Sequence, residues 1–252
     1  GPAWAMVIGL AAATLVTGAY LLGGQGGVRL HFGGVTVQWA LFADIMKVGA
    51  VACGNALLTI TTVLVVTRLV ASQGTAALAG YGLGSRLDLL LIPISFGVGG
   101  VLTATVGANF GAGQYRRARR VAWTGGLSVG AVTGLLGVTV AIWPGLWLDH
   151  FTADAEAREM GVLYLRIVGP MYGMFGMGMA LYFASQGTGN MVWPFSAGVL
   201  RILVAAAGGA LAILVFGSGP MVLFICVSAG LVCFGGPIAL SLFSRVWKPT
   251  EG

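Results

Sequence analysis

Charged residues are scarce in this 252-residue sequence: 8% of its residues are charged, whereas 58% are hydrophobic. A soluble domain carries about 25% charged residues because its surface must be hydrated. The shortage of charge therefore excludes a soluble protein and indicates an outer surface solvated by lipid. Unbroken apolar runs of about twenty residues favour transmembrane helices over the alternating strands of an outer-membrane barrel.

Groups that carry chemistry are also few. Neither of the two histidines, His31 and His150, lies in an apolar segment, and a single acid, Asp88, lies well inside one. Catalysis within a membrane needs a nucleophile and a base, or paired acids, to converge, so we expect no enzymatic activity. A seven-helix retinal protein is excluded because its last helix must supply a lysine, and residues 220–244 contain none.

Cysteine is rare as well. The three cysteines all lie in apolar segments, at Cys53, Cys226 and Cys233. No CxxC motif or histidine accompanies them, which argues against a disulfide framework and against a metal site. We therefore expect no metal and no cofactor, and we interpret the cysteines as small apolar fillers.

Long apolar segments are what the sequence has in abundance. Polar and turn-rich breaks divide the chain into seven spans, at residues 3–23, 45–70, 78–110, 121–143, 157–186, 195–216 and 220–244. The third and fifth exceed the roughly twenty residues that a bilayer core requires, so we expect them to tilt, kink or protrude, with Pro93 as a kink. The sequence predicts an all-α membrane protein with about seven transmembrane helices.

The basic residues predict the orientation, since Lys and Arg concentrate in cytoplasmic loops. The loops after the first, third and fifth spans and the C-terminal tail share one side, which holds Arg29, Lys47, Arg116, Arg117, Arg119, Arg120, Arg245 and Lys248. The other side has Arg68 and Arg158, together with the acids Asp149, Asp154 and Glu156. We expect a multi-pass protein with a cytoplasmic C-terminus.

The net charge of +6 raises the question of nucleic acid. The only run that supports such binding is the arginine cluster at residues 116–120, and Tyr115 is the only aromatic residue beside it. A cytoplasmic loop that fixes topology and contacts anionic lipid head groups explains the cluster better. We expect membrane lipids as partners and no nucleic acid.

Asp88 is informative because an ion buried in lipid is costly and usually marks a pathway or an ion pair. Arg86 is two residues away and points to a different helix face. Asp88 must therefore find a partner elsewhere or titrate. We expect an ion pair between helices with Arg166 or Arg201, and the alternative is a proton or substrate relay.

Other residues in the spans are candidates for a substrate or ion cavity. Flexible thioethers suit varied apolar guests, and a methionine stripe occurs at Met171, Met174, Met177 and Met179, with core filler as the alternative. The polar candidates have an alternative as helix–helix hydrogen bonds. The candidate substrate- or ion-binding residues are Asn55, Thr59, Asp88, Arg166, Met171 and Gln186.

Glycines recur every four residues at Gly126, Gly130 and Gly134, and again at Gly169 and Gly173. Such spacing places the glycines on one helix face, where a neighbouring backbone can approach closely. We interpret both sets as helix contacts in the fourth and fifth spans.

Several motifs resemble a known family of transporters. Residues 74–82 read GTAALAGYG, Pro93 follows, and residues 106–114 read VGANFGAGQ before the arginine cluster. This block resembles the second-lobe signature of the MATE (multidrug and toxic compound extrusion) family. A second block is similar to the tenth and eleventh helices of bacterial members: YLR at 164–166, GP at 169–170, ASQGTG at 184–189 and WP at 193–194, followed by Arg201.

The resemblance implies twelve helices in two six-helix lobes, with a cavity between the lobes. The seven spans would be helices six to twelve: residues 1–38 the last helix of the N-terminal lobe and the cytoplasmic inter-lobe loop, and residues 39–252 the C-terminal lobe. It further implies a secondary active antiporter of the bacterial inner membrane that exports amphipathic or cationic drugs in exchange for H⁺ or Na⁺. Alternating access needs two repeats, so we expect a C-terminal fragment whose missing partner is the N-terminal lobe.

The sequence departs from the family pattern at the coupling site. Sodium-coupled members carry a Glu in the seventh helix and an Asp in the tenth, and the matching positions hold Thr59 and Phe175. Val51 replaces a proline that is common early in the seventh helix. The rival interpretation is a flippase for lipid-linked precursors or polysaccharide of the same superfamily. Such a flippase favours an arginine-rich cavity, for which the sequence offers Arg86, Arg166 and Arg201.

Overall fold

The computed structural model describes residues 2–23, 39–244 and 247. The α-helices are α1 Pro2–Leu22, α2 Trp39–Ala71, α3 Thr75–Gly111, α4 Tyr115–Ile142, α5 Gly145–Leu148, α6 Ala155–Val168, α7 Tyr172–Thr188, α8 Val192–Ile202, α9 Gly209–Leu214 and α10 Pro220–Ser241. A 3₁₀ turn, Gly169–Met171, joins α6 to α7, and a π-helical turn, Leu203–Gly208, joins α8 to α9. The described residues contain no strand.

Seven helical segments of the described residues are long and apolar enough to cross a membrane. They are Trp4–Leu22, Gly49–Ala71, Thr75–Gly111, Tyr115–Ile142, Ala155–Thr188, Val192–Leu214 and Pro220–Ser241. The prediction of an all-α membrane protein with about seven transmembrane helices is confirmed.

Two compact units divide the chain, Gly1–Asp44 and Ile45–Gly252. In the first unit, the 21 residues of α1 form a helix about 30 Å long, enough for a bilayer core. The second unit holds most of α2 and all of the later helices. The predicted loop with Arg29 and His31, and the basic residues Arg245 and Lys248, lie outside the described residues.

The fifth predicted span is one helical segment with a break in it. Residues Ala155–Thr188 form a single membrane-length segment, but the 3₁₀ turn Gly169–Met171 interrupts the α-helix. Pro170 has no backbone N–H to donate, which explains why regular hydrogen bonding stops there. Pro93, by contrast, lies inside the continuous 37-residue helix α3.

The two predicted glycine faces lie against each other. A Cβ atom added to Gly134 of α4 would lie 3.3 Å from the Cα of Gly173 in α7. One added to Gly130 would lie 3.1 Å from the carbonyl oxygen of Gly173. A larger side chain at these positions would push the backbones apart. The expected close approach is confirmed, and the structure adds that the two faces are each other's partners.

An aromatic cluster joins α3, α6 and α10 in the core. The ring centroids of Tyr81 and Tyr164 are 5.3 Å apart, and those of Tyr164 and Phe224 are 5.2 Å apart, both in edge-to-face geometry. This arrangement is favourable for aromatic pairs. The cluster fixes the rotation of α3 and α6, and with it the direction in which their polar side chains point.

Helix α2 packs against α8 through small residues. Asn55 is 8% exposed, and its amide oxygen faces Gly198 of α8. Phe195 of α8 lies against Gly54 in the same way. Because glycines leave room on both helices, the polar face of α2 is held close to α8.

Arg158 and Asp149 form an ion pair. Arg158 Nε donates to Asp149 Oδ1 at 2.7 Å between α6 and the segment after α5. The Arg158 guanidinium holds the pKa of the Asp149 carboxyl below its ordinary value, chiefly through this hydrogen bond. About half of each side chain is exposed, at 45% and 52%, so solvent screens the attraction.

Replacing Arg158 with glutamine is expected to return the pKa of Asp149 towards its ordinary value of about 4. Because the folded-state pKa is lowered, the bridge stabilises the protein above that ordinary pKa, and its contribution disappears as the pH falls through the lowered pKa. A ¹³C NMR titration of the Asp149 carboxyl carbon measures the change. The matched control is Arg86→Gln, and an Asp149 titration identical in wild type and Arg158→Gln would contradict the assignment.

Candidate functional site

A cavity of about 380 Å³ lies among α2, α3, α7, α8 and α10. This volume is in the range of sites that hold small organic molecules. Aromatic side chains form most of its wall, contributed by Phe96, Phe175, Tyr182, Phe183 and Phe234. Aliphatic residues complete the apolar surface, at Ala52, Ala56, Ile60, Ile92 and Met179. The cavity is thus suited to a flat apolar guest.

Three of the predicted site residues line this cavity. Asn55 and Thr59 reach it from α2, one helical turn apart, and Gln186 reaches it from α7. The Thr59 hydroxyl donates to the carbonyl oxygen of Asn55 at 3.0 Å, so its own oxygen remains able to accept from a guest. These residues give the aromatic cavity a neutral polar side.

Arg201 is the charged residue of the lining within the part of the chain that the structure describes. It belongs to the last turn of α8, and its guanidinium lies 5.1 Å from the ring centroid of Phe175 and 5.8 Å from that of Phe234. Both distances are those of cation–π contacts. The sequence offered Arg201 as a partner for Asp88 and as one of three arginines for a flippase cavity, but not among the candidate site residues, although an arginine deep in an apolar span was itself a signal of function.

Asp88 makes a hydrogen-bonded triad with two tyrosines, and the expected ion pair is wrong. Tyr164 donates its hydroxyl to Asp88 Oδ2 at 2.6 Å, and Tyr172 donates to Asp88 Oδ1. No arginine lies within salt-bridge distance of Asp88 among the described residues. Two phenol donors can satisfy a carboxylate without a second ion, because each carboxylate oxygen receives a hydrogen bond.

The break in the fifth span positions this triad. Tyr164 is in α6 and Tyr172 begins α7, on either side of the 3₁₀ turn. In a regular helix, two residues eight positions apart lie about 12 Å apart along the axis. The 3₁₀ turn between the two tyrosines lets their side chains approach the same carboxyl from two directions. Their exposed fractions are 1% and 0%, which removes the triad's donors from water.

The remaining predicted site residues lie elsewhere. Arg166 is exposed on α6 and lines a surface pocket together with Trp143 and Asp149. Met171 lies in the 3₁₀ turn and packs against the buried core, whereas Met179 is the member of the methionine stripe that lines the cavity. Asp88 is outside the lining as well, so the six predicted residues divide into a cavity group and three separate positions.

Two further arginines also fall outside the cavity. Arg86 is exposed, with its guanidinium 6.0 Å from the ring centroid of Phe151, and Arg166 is on the surface described above. Of the three arginines that would make a phosphate-binding cavity, Arg201 lines it. By resemblance, Thr59 and Phe175 occupy the two positions at which sodium-coupled MATE members carry acids. Both residues line this cavity.

Comparison with known proteins gives a family match over most of the chain. The model of the MatE family matches residues 50–211. The probable multidrug resistance protein NorM of Thermotoga maritima is 24% identical over 166 residues, which is 66% of this chain and 36% of that protein. The chain thus spans about a third of the length of this curated relative.

Solved structures share the fold. A MATE transporter crystallised in complex with MaL6 matches with a TM-score of 0.75 and 18% identity, over 97% of this chain and 56% of that one. A MOP superfamily transporter from Pyrococcus furiosus matches with a TM-score of 0.66 and 19% identity, over 82% and 48%. The Vibrio cholerae MATE transporter VcmN in its bent form matches with 0.66 and 16%, over 85% and 50%.

Proposed function

We propose, from the fact that this chain belongs to the MatE family, that it forms part of a secondary active antiporter that exports amphipathic or cationic drugs in exchange for H⁺ or Na⁺. The observation that carries the proposal is the cavity among five helices, with its aromatic wall and its polar side at Asn55, Thr59 and Gln186. Such a surface accepts varied guests because aromatic contacts are tolerant of shape and a few polar groups orient the ligand.

We further propose that residues 39–252 form the C-terminal lobe and residues 1–38 the last helix and linker of a preceding lobe. Seven candidate spans divide as one plus six, and the chain covers about half of the solved transporters, between 48% and 56%. Alternating access by two repeats would place a second lobe opposite the cavity.

The proposed location is the inner membrane of a bacterium, with a cytoplasmic C-terminus. Trp247, near the C-terminus, lines one pocket with Arg116, Arg117 and Arg119 at the start of α4. Trp247 and the arginine cluster are therefore at the same end of the helices. The positive-inside bias favours the cytoplasm for that end.

The cavity favours the exporter over the flippase. A site for lipid-linked phosphates gains from several convergent arginines, whereas Arg86 and Arg166 are exposed outside the lining. The aromatic wall is suited to ring-bearing compounds. Asp88 with its two tyrosines is the proposed coupling group for H⁺ or Na⁺.

Filling the cavity tests the proposal. Replacing Ala56 with tryptophan is expected to lower dye efflux by about tenfold or more, because the indole would occupy space that the substrate needs. Efflux is measured as loss of a preloaded fluorescent dye from an efflux-deficient bacterium that expresses the native protein. Membrane abundance is measured in parallel by immunoblot.

The matched control is Leu57→Trp, which adds the same ring on the next residue of α2, on an exposed side chain outside the lining. The control is expected to retain efflux. Equal efflux in Ala56→Trp and wild type, at equal abundance, would refute the cavity as the transport site.

A further inference from the structure

The described lining of the cavity carries a positive charge and no negative one. Arg201 is the one ionic group among the described residues that line it, and no acid lines it. The two positions that by resemblance would hold acids contribute a hydroxyl at Thr59 and a phenyl ring at Phe175. A guest in this cavity therefore meets a positive charge without a neighbouring negative one.

Contacts with two aromatic rings restrict the Arg201 side chain before a ligand binds. Its guanidinium lies to one side of the aromatic pair Phe175 and Phe234, at 5.1 and 5.8 Å from ring centroids that are 5.8 Å apart. An arginine in cation–π contact with aromatic rings keeps its planar fork of N–H donors for a ligand. A fork of this kind matches carboxylate, sulfonate or phosphate oxygens in bidentate geometry. The entropy of ordering the side chain is thus already lost before a ligand arrives.

The backbone next to Arg201 is irregular as well. The π-helical turn Leu203–Gly208 starts two residues after it, between α8 and α9. Turns of this type inside helices are frequent at functional sites. The position of Arg201 beside one is a second feature, independent of charge, that marks this end of α8 as functional.

Asp88 does not remove the positive character of the cavity. It is within Coulombic range of Arg201, but it is outside the lining and both of its oxygens accept hydrogen bonds from tyrosines. Coulomb attraction weakens with distance, so a group inside the cavity interacts first with the guanidinium. Asp88 acts as a remote counter-charge that makes Arg201 tolerable in the membrane.

We infer that this cavity selects aromatic amphiphiles that carry an anionic group, with the ring against the phenylalanine wall and the anion on Arg201. The inference rests on the proposed export function and narrows its substrate class. It reverses the preference for cations that the family resemblance suggests. Cationic compounds of the same size would place a positive charge beside the Arg201 guanidinium, which is unfavourable in a low-dielectric site.

Two dansyl compounds of matched size test this inference. N-dansylglycine carries a carboxylate, and N-dansylethylenediamine carries an ammonium group at nearly the same distance from the same fluorophore. Binding to the purified native protein in detergent is followed by the rise in dansyl fluorescence. Wild type is expected to bind dansylglycine about tenfold or more tightly than the amine, which is the effect of one favourable charge contact.

Three variants identify the group responsible. In Arg201→Gln, dansylglycine should bind about tenfold more weakly and the preference over the amine should disappear. Arg201→Lys should keep the preference in weakened form, since it retains the charge without the planar fork. Arg68→Gln removes an exposed arginine in the last turn of α2, outside the cavity lining, and should leave both affinities unchanged.

Tighter binding of the amine by wild type, or an unchanged preference in Arg201→Gln, would overturn the inference. Near-ultraviolet circular dichroism confirms that Arg201→Gln is folded, and retained binding of the uncharged dansylamide shows that its cavity is intact. Binding is measured without transport, so the two proposals fail separately. Arg201-dependent binding without efflux of dansylglycine would refute the export function alone, whereas efflux of cations with no Arg201 effect would refute the polarity alone.

Discussion

Replacing Asp88 with asparagine is expected to reduce dye efflux to that of cells without the transporter, while the amount of protein in the membrane stays at the wild-type level. Asparagine keeps the size of aspartate and one oxygen acceptor for the tyrosine pair, so the helices can still pack. It cannot bind and release a proton, and it has no charge to attract a cation. Efflux driven by an ion gradient would therefore stop.

The structural reason is the environment of the carboxyl group. It lies in the 37-residue helix α3, and two buried tyrosines from either side of a helix break donate to it. Acids inside a membrane are costly and persist mostly for function. Because the tyrosine donors belong to the two parts of a broken helix, movement of these parts would change the environment of the carboxyl, and an antiporter requires such a linkage.

Companion variants separate coupling from packing. Asp88→Glu keeps the carboxyl and should retain part of the efflux, and Tyr172→Phe removes one donor and should weaken efflux without abolishing it. The control Glu159→Gln neutralises an exposed acid of α6 and should have no effect. Wild-type efflux in Asp88→Asn would place coupling elsewhere, whereas loss of the protein from the membrane would show that the triad is structural.

Substituting valine for Gly80 is expected to destabilise the protein by about 3 kcal/mol, near the upper end of the usual cost of overpacking. Gly80 of α3 is buried against α6. A Cβ atom at Gly80 would lie 2.6 Å from Met160 Cβ and 2.7 Å from the backbone nitrogen of Gly161, and it would also collide with the carbonyl oxygen of Ala157. Backbone atoms of a packed helix cannot move aside individually, so α3 and α6 must separate.

A matched control lies two residues away on the same helix. Gly82 has no atom within 4 Å of an added Cβ, so Gly82→Val carries the same change in helix propensity without the collision. The free energy of unfolding is measured for both variants by titration with SDS in mixed micelles. Equal stability of the two variants would contradict close packing of α3 on α6.

Much of the fold could be predicted from local patterns in the sequence. The seven spans were readable because the length of each apolar run sets whether it crosses a bilayer, and the glycine faces were readable because a four-residue repeat lies on one side of a helix. Asn55, Thr59 and Gln186 were found because a polar side chain in an apolar span stands out from its neighbours. Each of these features depends on one segment alone.

Side-chain contacts between different segments could not be predicted in this way. Asp88 was assigned an arginine, but its partners are Tyr164 and Tyr172, which carry no charge and look ordinary in the sequence. Arg166 and Arg201 looked equivalent, yet one is exposed on α6 and the other lies in the cavity. The sequence pattern of a single helix does not determine how far that helix is rotated relative to its neighbour.

By itself, the sequence determined that this chain is an all-α membrane protein with about seven predicted spans, that it resembles MATE transporters, and which residues are polar inside the spans. The tertiary structure alone decided which of those residues meet. The physical reason is that the rotation of each helix follows from packing contacts between distant segments, such as the Tyr81, Tyr164 and Phe224 cluster. Those contacts turn Tyr164 and Tyr172 towards Asp88, while Arg201 lies beside Phe175 and Phe234.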